Sequence, residues 1–537
     1  MRLINTATLE FEEYFGSRIP KYAILSHAWG KEEISFQDWA DGRGLTANAG
    51  CRKILLACDQ AKKDRLKYLW VDTNCIDKSS SAELAEAVNS MFAWYRDSVI
   101  CYAYLEDYPQ QNFITSRWFT RGWTLQELLA PREVVFFSKN WTQLGCRKDR
   151  LEEISEITGI EKGYLDGSSQ LNSASVACRM SWVSRRTTTR IEDMAYCMLG
   201  IFDINIPLLY GEGSKAFIRL QEEIIRVSND QSIFCWTWND DVPQGWVSML
   251  APSPSTFSDS ADYWDVRQGG NNKPLSYSIT NAGLHIRLPI VRTWSYYIAI
   301  LSVQRSDRCR AGIPLKGSLG NGVLERLSFP NSPVDFSEFG SREPEYELYI
   351  PITSIGRYTE YFNPLPNPNQ CGMLVFFNNI EHLVNFRSYP ARRFNPLTSL
   401  FLFDRDEAIS GGILRFERSD SEDFMVFFGA SRKVIGHTGN TGARIHWFAR
   451  SMHTRCLKLS DIMLAKALDH MKRCVVIGRG LCNDCIENGC YERASTDVAL
   501  TLFHRAPIPF NESIGAVRIS LIQNDNSEHY RISKESA

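Results

Sequence analysis

Compact apolar runs separated by stretches of helical period dominate the first part of the chain. YAILSH (22–27), KYLWVD (67–72), VICYAYLED (99–107) and EVVFFS (133–138) are short and nearly continuous, as expected of strands covered on both faces. Between them lie helical stretches, one around 47–64 with Ile54, Leu55 and Cys58 on one face. Another follows Ser80-Ser81-Ala82-Glu83, a capping box, and carries Leu84, Val88, Met91, Phe92 and Tyr95 as its apolar stripe. RGWTLQELL (121–129) reads as a short helix stopped by Pro131. Strands alternating with helices predict parallel βαβ units, so residues 1–145 are expected to form an α/β sheet domain.

The pattern then becomes helical over 146–240: DRLEEISEITGI ends at Gly159, IEDMAYCML keeps helical spacing, and KAFIRLQEEIIRV places Phe217, Leu220, Ile224 and Ile225 on one side. Pro, Ser, Asp, Gly and Asn accumulate over 241–275 (PSPSTFSDS, RQGGNNKP), which predicts a linker or domain boundary. Residues 276–537 hold β-type runs such as LHIRLPIV, YYIAILSV, YELYIPI, FMVFFG and AVRISLI between turn residues. They read as a mostly β domain with one helix near 460–472.

Composition narrows the classes of function. The 537 residues are 44% hydrophobic, 12% aromatic and 23% charged, a globular chain long enough for two to four domains. Lys and Arg number 60 against 62 Asp and Glu, a net charge of −2 that lacks the footprint of a nucleic-acid or anionic-membrane binder. The opening MRLINTATLEFEEYF has no apolar signal core, and no apolar stretch approaches the ~18–20 residues of a membrane span. A cytoplasmic location is expected, with the 15 cysteines as reduced thiols. Of 14 Trp, all but Trp264, Trp294 and Trp447 precede residue 250, while every His except His27 follows residue 284. The halves are built differently.

Parallel sheets bind ligands beyond the carboxyl ends of their strands. The polar residues there are Ser26, His27, Trp29 and Gly30 after the first run, and Asp72, Asn74, Cys75 and Asp77 after the second. The plainer reading makes Asp72, Asn74 and Asp77 turn caps and His27 a core hydrogen-bonding residue. Trp123 and Glu127, four apart, share a helical face and set a carboxylate beside an aromatic wall. A carboxylate so placed can hold ribose hydroxyls or stabilise an oxocarbenium-like charge while the ring packs on a base or pyridinium. The plainer alternative makes Trp123 core and pairs Glu127 with Arg121 or Arg132.

Other motifs carry less. GEGSK (211–215) lacks P-loop spacing. Arg185, Arg186 and Arg190 suit phosphates, but Glu192 and Asp193 offer them internal partners. Cys482 and Cys485, with Cys474 and Cys490, have partial zinc-ligand character without a clean second pair, so no metal is assigned. A Cys75/His27 nucleophile pair lacks any local hydrolase signature.

The sequence closely resembles the fungal heterokaryon incompatibility (HET) domain family over about residues 20–240. Its blocks are YAILSHAWGKEEISFQDW (22–39), YLWVDTNCIDKSSSAELAEAVNSMFAWYRDSVICYAYLED (68–107) and SRWFTRGWTLQELLAPREVVFFSKNW (116–141), with SWVSRRTTTRIEDMAYCMLGIFDINIPLLYGEGSKAFIRLQEEI (181–224) beyond. HET domains in turn resemble Toll/interleukin-1 receptor (TIR) domains, flavodoxin-like α/β modules. Trp123-Thr124-Leu125-Gln126-Glu127-Leu128 is similar to the TIR Trp-Cys-x-x-Glu-Leu motif, with Thr124 in place of Cys. The resemblance implies a flavodoxin/TIR-like fold, a role in non-self recognition and programmed cell death, and Glu127 as the catalytic residue of an NAD-cleaving site.

Two functions follow from that resemblance. In the first, the chain hydrolyses NAD as its substrate, without a resident cofactor, Ser26, His27, Trp29, Gly30, Asp72, Asn74, Asp77 and Trp123 serving as binding residues. In the second, it is a non-enzymatic module that self-associates and acts through an incompatibility partner protein. The β-rich half is expected to regulate the effector or sense its trigger.

Overall fold

The computed structural model describes residues 1–42, 49–266, 276–305, 310–328, 334–336 and 344–352, and between 370 and 521 chiefly strand segments. The chain divides into two compact units, Met1–His285 with Pro351–Ile355, and Ile286–Ile350 with Gly356–Ala537.

A seven-stranded sheet forms the centre of the first unit. Its strands are β1 (Arg2–Asn5), β2 (Phe11–Glu13), β3 (Ala23–His27), β4 (Tyr68–Val71), β5 (Ile100–Leu105), β6 (Val134–Ser138) and β7 (Gln143–Cys146), in the spatial order β2-β1-β4-β3-β5-β6-β7. β4, β3, β5 and β6 run parallel, and antiparallel strands close both edges. The four parallel strands are those expected from the apolar runs, and nearly every residue in them is buried. The short flanking strands β1, β2 and β7 were not legible, because edge strands need only one covered face.

Helices cover the sheet. They are α1 (Phe36–Ala40), α2 (Ala49–Lys63), α3 (Ser81–Asp97) and α4 (Thr124–Leu129). Ser80 caps α3 by accepting from the Glu83 backbone N–H at 3.3 Å. The Glu83 carboxylate turns away from its half of the capping box and accepts instead from Asp77 N and Arg2 Nη1, both at 2.8 Å.

The helical stretch continues this unit with α5 (Leu151–Thr158), α6 (Lys162–Asp166), α7 (Val176–Ser181), α8 (Asp193–Tyr196), α9 (Leu199–Phe202) and α10 (Lys215–Val227). α5 ends at Gly159 with φ 69°, a left-handed cap that favours glycine. The extension is stitched to the sheet layer where Gly122 N donates to Thr187 O at 2.9 Å and Thr187 N to Thr120 O at 2.7 Å.

The stretch 241–275, read from composition as a linker, differs from that expectation over its described part. Val247, Met249, Leu250, Ala251 and Phe257 are buried. Gln221 of α10 grips Ala251 at both ends, Nε2 to O and N to Oε1, each at 2.9 Å, and Trp236 Nε1 donates to Met249 O at 2.8 Å. Pro and Ser there serve tight turns inside a packed layer.

The second unit is β-rich, as its runs predict. Strands Gly283–Arg292, Glu345–Ile350, Val323–Arg326, Arg310–Ser318 and Tyr297–Gln304 pair in that order, and the last returns to the first, closing a ring. Gln370–Asn378 extends this sheet toward Leu400–Asp404. A separate four-stranded antiparallel sheet holds Leu383–Tyr389, Ile409–Arg418, Phe424–Ile435 and Gly442–His453. Met373, Val375, Phe377, Leu414, Phe416, Phe424, Val426 and Phe428, at period two along their strands, join Phe401 and Phe403 in one core. Cys474, Cys482, Cys485 and Cys490, and all but residue 468 of the helix expected near 460–472, lie outside the described residues.

Candidate functional site

The parallel strands run second-first-third-fourth across the sheet, so the chain leaves β3 toward one side and β5 toward the other. A crevice opens at such a switch point, outside the carboxyl ends of the strands. A cleft of about 400 Å³ lies there, lined by Ala28 after β3, Tyr104 and Glu106 at the end of β5, Lys139 after β6, and Arg117 and Trp118.

Next to this cleft, Ser26 and Glu127 meet inside the protein. The Ser26 hydroxyl donates to Glu127 Oε2, and Trp118 Nε1 donates to Ser26 Oγ at 2.8 Å. The Tyr95 hydroxyl, which donates to Leu25 O at 3.4 Å, lies close enough to the carboxyl group to favour its ionised form. Glu127 is only 5% exposed. Burial, joined by the nearby Asp72 charge, raises its pKa to about 8, against the opposing pull of Ser26, Tyr95 and Arg186. A carboxyl group so placed can hold or release a proton near neutral pH.

Residues 22–112 match the heterokaryon incompatibility protein (HET) family, and residues 215–269 match a domain of unknown function (DUF8212). The chain contains a HET domain. Vegetative incompatibility protein HET-E-1 of Podospora anserina is 50% identical over 222 residues, which make up 38% of this chain and 16% of that protein. The matched stretch thus spans a small part of that relative's length. No solved structure matches the chain.

Within the HET match, a second group surrounds the end of β3. Trp29 Nε1 donates to Asp72 Oδ2 at 2.7 Å, and His27 Nδ1 lies 3.8 Å from Asp72 Oδ1. His27 Nε2 is 3.3 Å from Glu33 Oε2, and Lys53 Nζ bonds both Glu33 oxygens at 2.5 and 2.6 Å. Burial would raise the Glu33 pKa, but His27 and Lys53 together outweigh it and hold the group at about 2. Gly30 N donates to Glu33 Oε1 at 2.7 Å, and a side chain on Gly30 would press within 3.1 Å of a Glu106 oxygen.

Ser26, His27, Trp29, Gly30, Asp72 and Glu127 therefore gather at one end of the HET-domain sheet, although Glu127 itself follows the matched residues. Asn74 is fully buried beside them in sequence, and its side-chain amide makes no hydrogen bond. Asp77 stands apart as a turn residue, accepting from Gln37 Nε2 at 2.7 Å and from Ser79 N and Oγ at 3.0 and 2.6 Å. Trp123 precedes α4 and lies close enough to Asp193 of the helical extension to favour that group's ionised form, while the indole bonded to Ser26 is that of Trp118.

The remaining leads resolve structurally. Cys75 is buried, accepts from Val71 N at 3.4 Å, and burial pushes its thiol up to about 12, which removes it as a ready nucleophile. The backbone N–H groups of Gly211 and Gly213 in GEGSK hold the Glu192 carboxylate at 2.8 and 3.1 Å. Arg190 packs 4.4 Å from the Tyr210 ring, and Arg185 is exposed. Arg186 is buried and donates to Trp182 O at 3.1 Å, Arg121 O at 2.9 Å and Thr124 Oγ1 at 3.0 Å, gripping the start of the Glu127 helix.

Residue pattern missed Trp118, Tyr95, Glu33 and Lys53 as site residues, and it offered Arg186 phosphates or acidic partners where it in fact grips Arg121 O and Thr124 Oγ1. The first two sit in apolar surroundings where a sequence reads only core, and the others are charges whose burial no periodicity reveals. The one available signal was SRWFTRGW, whose first Trp, Trp118, donates to the strand-end Ser26.

Proposed function

We propose that this chain acts in vegetative incompatibility, the non-self recognition of fungal cells that ends in cell death, and that it does so by hydrolysing NAD at the nicotinamide–ribose bond. The observation that carries the reading is the Ser26–Glu127 pair at the mouth of the sheet. The HET domain and the name of the Podospora relative support the biological role. The second-first-third-fourth order of the parallel strands is that of a flavodoxin-like sheet, which supports the TIR-like reading of the motif around Glu127.

In this mechanism nicotinamide departs with the electron pair of its bond to ribose, leaving oxocarbenium character on the sugar. The Glu127 carboxylate stabilises that charge. Water then adds to the sugar carbon and loses its proton, giving ADP-ribose, nicotinamide and one proton from NAD and water. A cationic pyridinium brought near Glu127 favours its ionised form, so binding itself supplies the carboxylate. Ser26, fixed by Trp118, orients the group.

The test is release of nicotinamide from NAD by the purified chain, with Glu127→Gln alongside. Release by the wild type and its loss in the variant support the reading. Equal traces from the two, or none from the wild type under conditions that kill cells, overturn it. The burial of Glu127 also fits the alternative, a self-associating module in which this carboxyl group is structural. That alternative predicts toxicity retained in Glu127→Gln.

A further inference from the structure

The face of the Trp29 indole already carries a cation. Lys78 Nζ lies 3.7 Å from the ring centroid; burial lowers its pKa, and the nearby Asp72 and Glu33 carboxylates only partly oppose that. The same indole is tied at its edge to Asp72 and its backbone carbonyl to Arg117 Nη2 at 2.8 Å. Trp29 is nonetheless 46% exposed, and Lys78 sits on an exposed turn between β4 and α3. A fixed aromatic face with acidic groups beside it is a cation site. Its present occupant is tethered by a flexible stem and can swing away into water.

We propose that the Trp29 face is a binding site for a flat aromatic cation of the pyridinium class, and that Lys78 is its built-in competitor, filling the site until such a ligand displaces it. The inference rests on the reading of this sheet end as a ligand site, and it names the part of the ligand that Trp29 takes. It needs no bond cleavage. A planar cation stacks on more of the ring than an ammonium does and keeps its charge near Asp72.

Binding of 1-methylnicotinamide to the full-length chain, measured by calorimetry, tests this. Lys78→Met should bind about 3-fold or more tighter than wild type, because the site is vacated while the ring stays. Lys78→Arg, which keeps a cation on the ring, should bind like wild type. The double variant Trp29→Leu with Lys78→Met should lose the gain, which separates the ring face from simple removal of a positive charge. Uncharged nicotinamide should gain less than the cation. Unchanged or weaker binding in Lys78→Met, or a gain that survives loss of Trp29, overturns the proposal. Cation binding with this pattern but no nicotinamide release from NAD would overturn the hydrolytic reading and leave the cation site standing.

Discussion

Ser26 and Glu127, 101 residues apart in sequence, form a buried hydrogen bond in which the strand-end hydroxyl donates to the helix-borne carboxyl group. The pair exists because α4 packs across the end of β3, and Trp118 closes it from the third side. Burying a carboxyl group this way works against stability, and that cost is measurable.

With a pKa of about 8 in the fold against 4.5 as its ordinary value, Glu127 stays protonated where the unfolded chain has already ionised. Its contribution is therefore most favourable below about pH 4.5, declines as pH rises, and levels off above about 8. Glu127→Gln keeps a neutral group and avoids this loss. The variant should gain thermal stability relative to wild type between pH 5 and 8, by several kcal/mol at the upper end, with the difference shrinking toward pH 4. Melting curves across that range check it; a variant equally destabilised at every pH would show that the carboxyl group is not titrating in the fold.

The same proton governs the proposed reaction. If the carboxylate stabilises developing positive charge, kcat/KM for nicotinamide release should rise with pH and flatten above about 8, the Glu127 value in the ligand-free chain. An activity that falls through this range would assign Glu127 the role of an acid.

Arg186 links the helical extension to the start of the Glu127 helix through two hydrogen bonds, to Arg121 O and Thr124 Oγ1, and is braced within the extension by a third to Trp182 O. Arg186→Met leaves two buried carbonyls and the Thr124 hydroxyl short of a donor and should cost about 3 kcal/mol or more. Arg186→Lys should recover little, since an ammonium cannot reproduce the planar fork. Chemical denaturation of the two variants measures both effects.

Gly200 in α9 faces Phe92 of α3, and a Cβ there would fall 2.0 Å from the Phe92 Cβ. Gly200→Ala should force the two helices apart and lower stability by about 1–3 kcal/mol. Gly213, whose added Cβ meets nothing within 4 Å, is strained by substitution only through its φ of 62°. Thermal unfolding should rank Gly200→Ala as the more damaging change.

A chain ended after residue 245 removes Met249 and Ala251 from Trp236 and Gln221. It should be less stable or less soluble than one carried on to residue 285, the end of the long continuous stretch of the first unit. Proteolysis rates of the two fragments give the comparison, and equal resistance would show that 246–285 adds nothing to this unit.

Much of the architecture could be read directly. The four parallel strands announce themselves because strands covered on both faces must be apolar throughout, and Leu84, Val88, Met91 and Tyr95 mark α3 through helical spacing. Strand-end reasoning also placed Ser26, His27, Trp29 and Asp72 together, since parallel sheets put these ends on one side. The aromatic partner of Glu127 was not so accessible. Spacing pointed to Trp123, which lies near Asp193, while the indole held against Ser26 belongs to Trp118.

By itself the sequence determined where the four parallel strands and the longer helices lie and that the two halves differ, because burial pattern is a local property repeated every two or 3.6 residues. Only the tertiary structure decided which polar groups meet: Ser26 with Glu127, Arg186 with the start of α4, Lys78 with Trp29, and the supposed linker with α10. Those pairings depend on how one element crosses another, and the shift of Glu127 follows from the water excluded there, which no run of residues encodes.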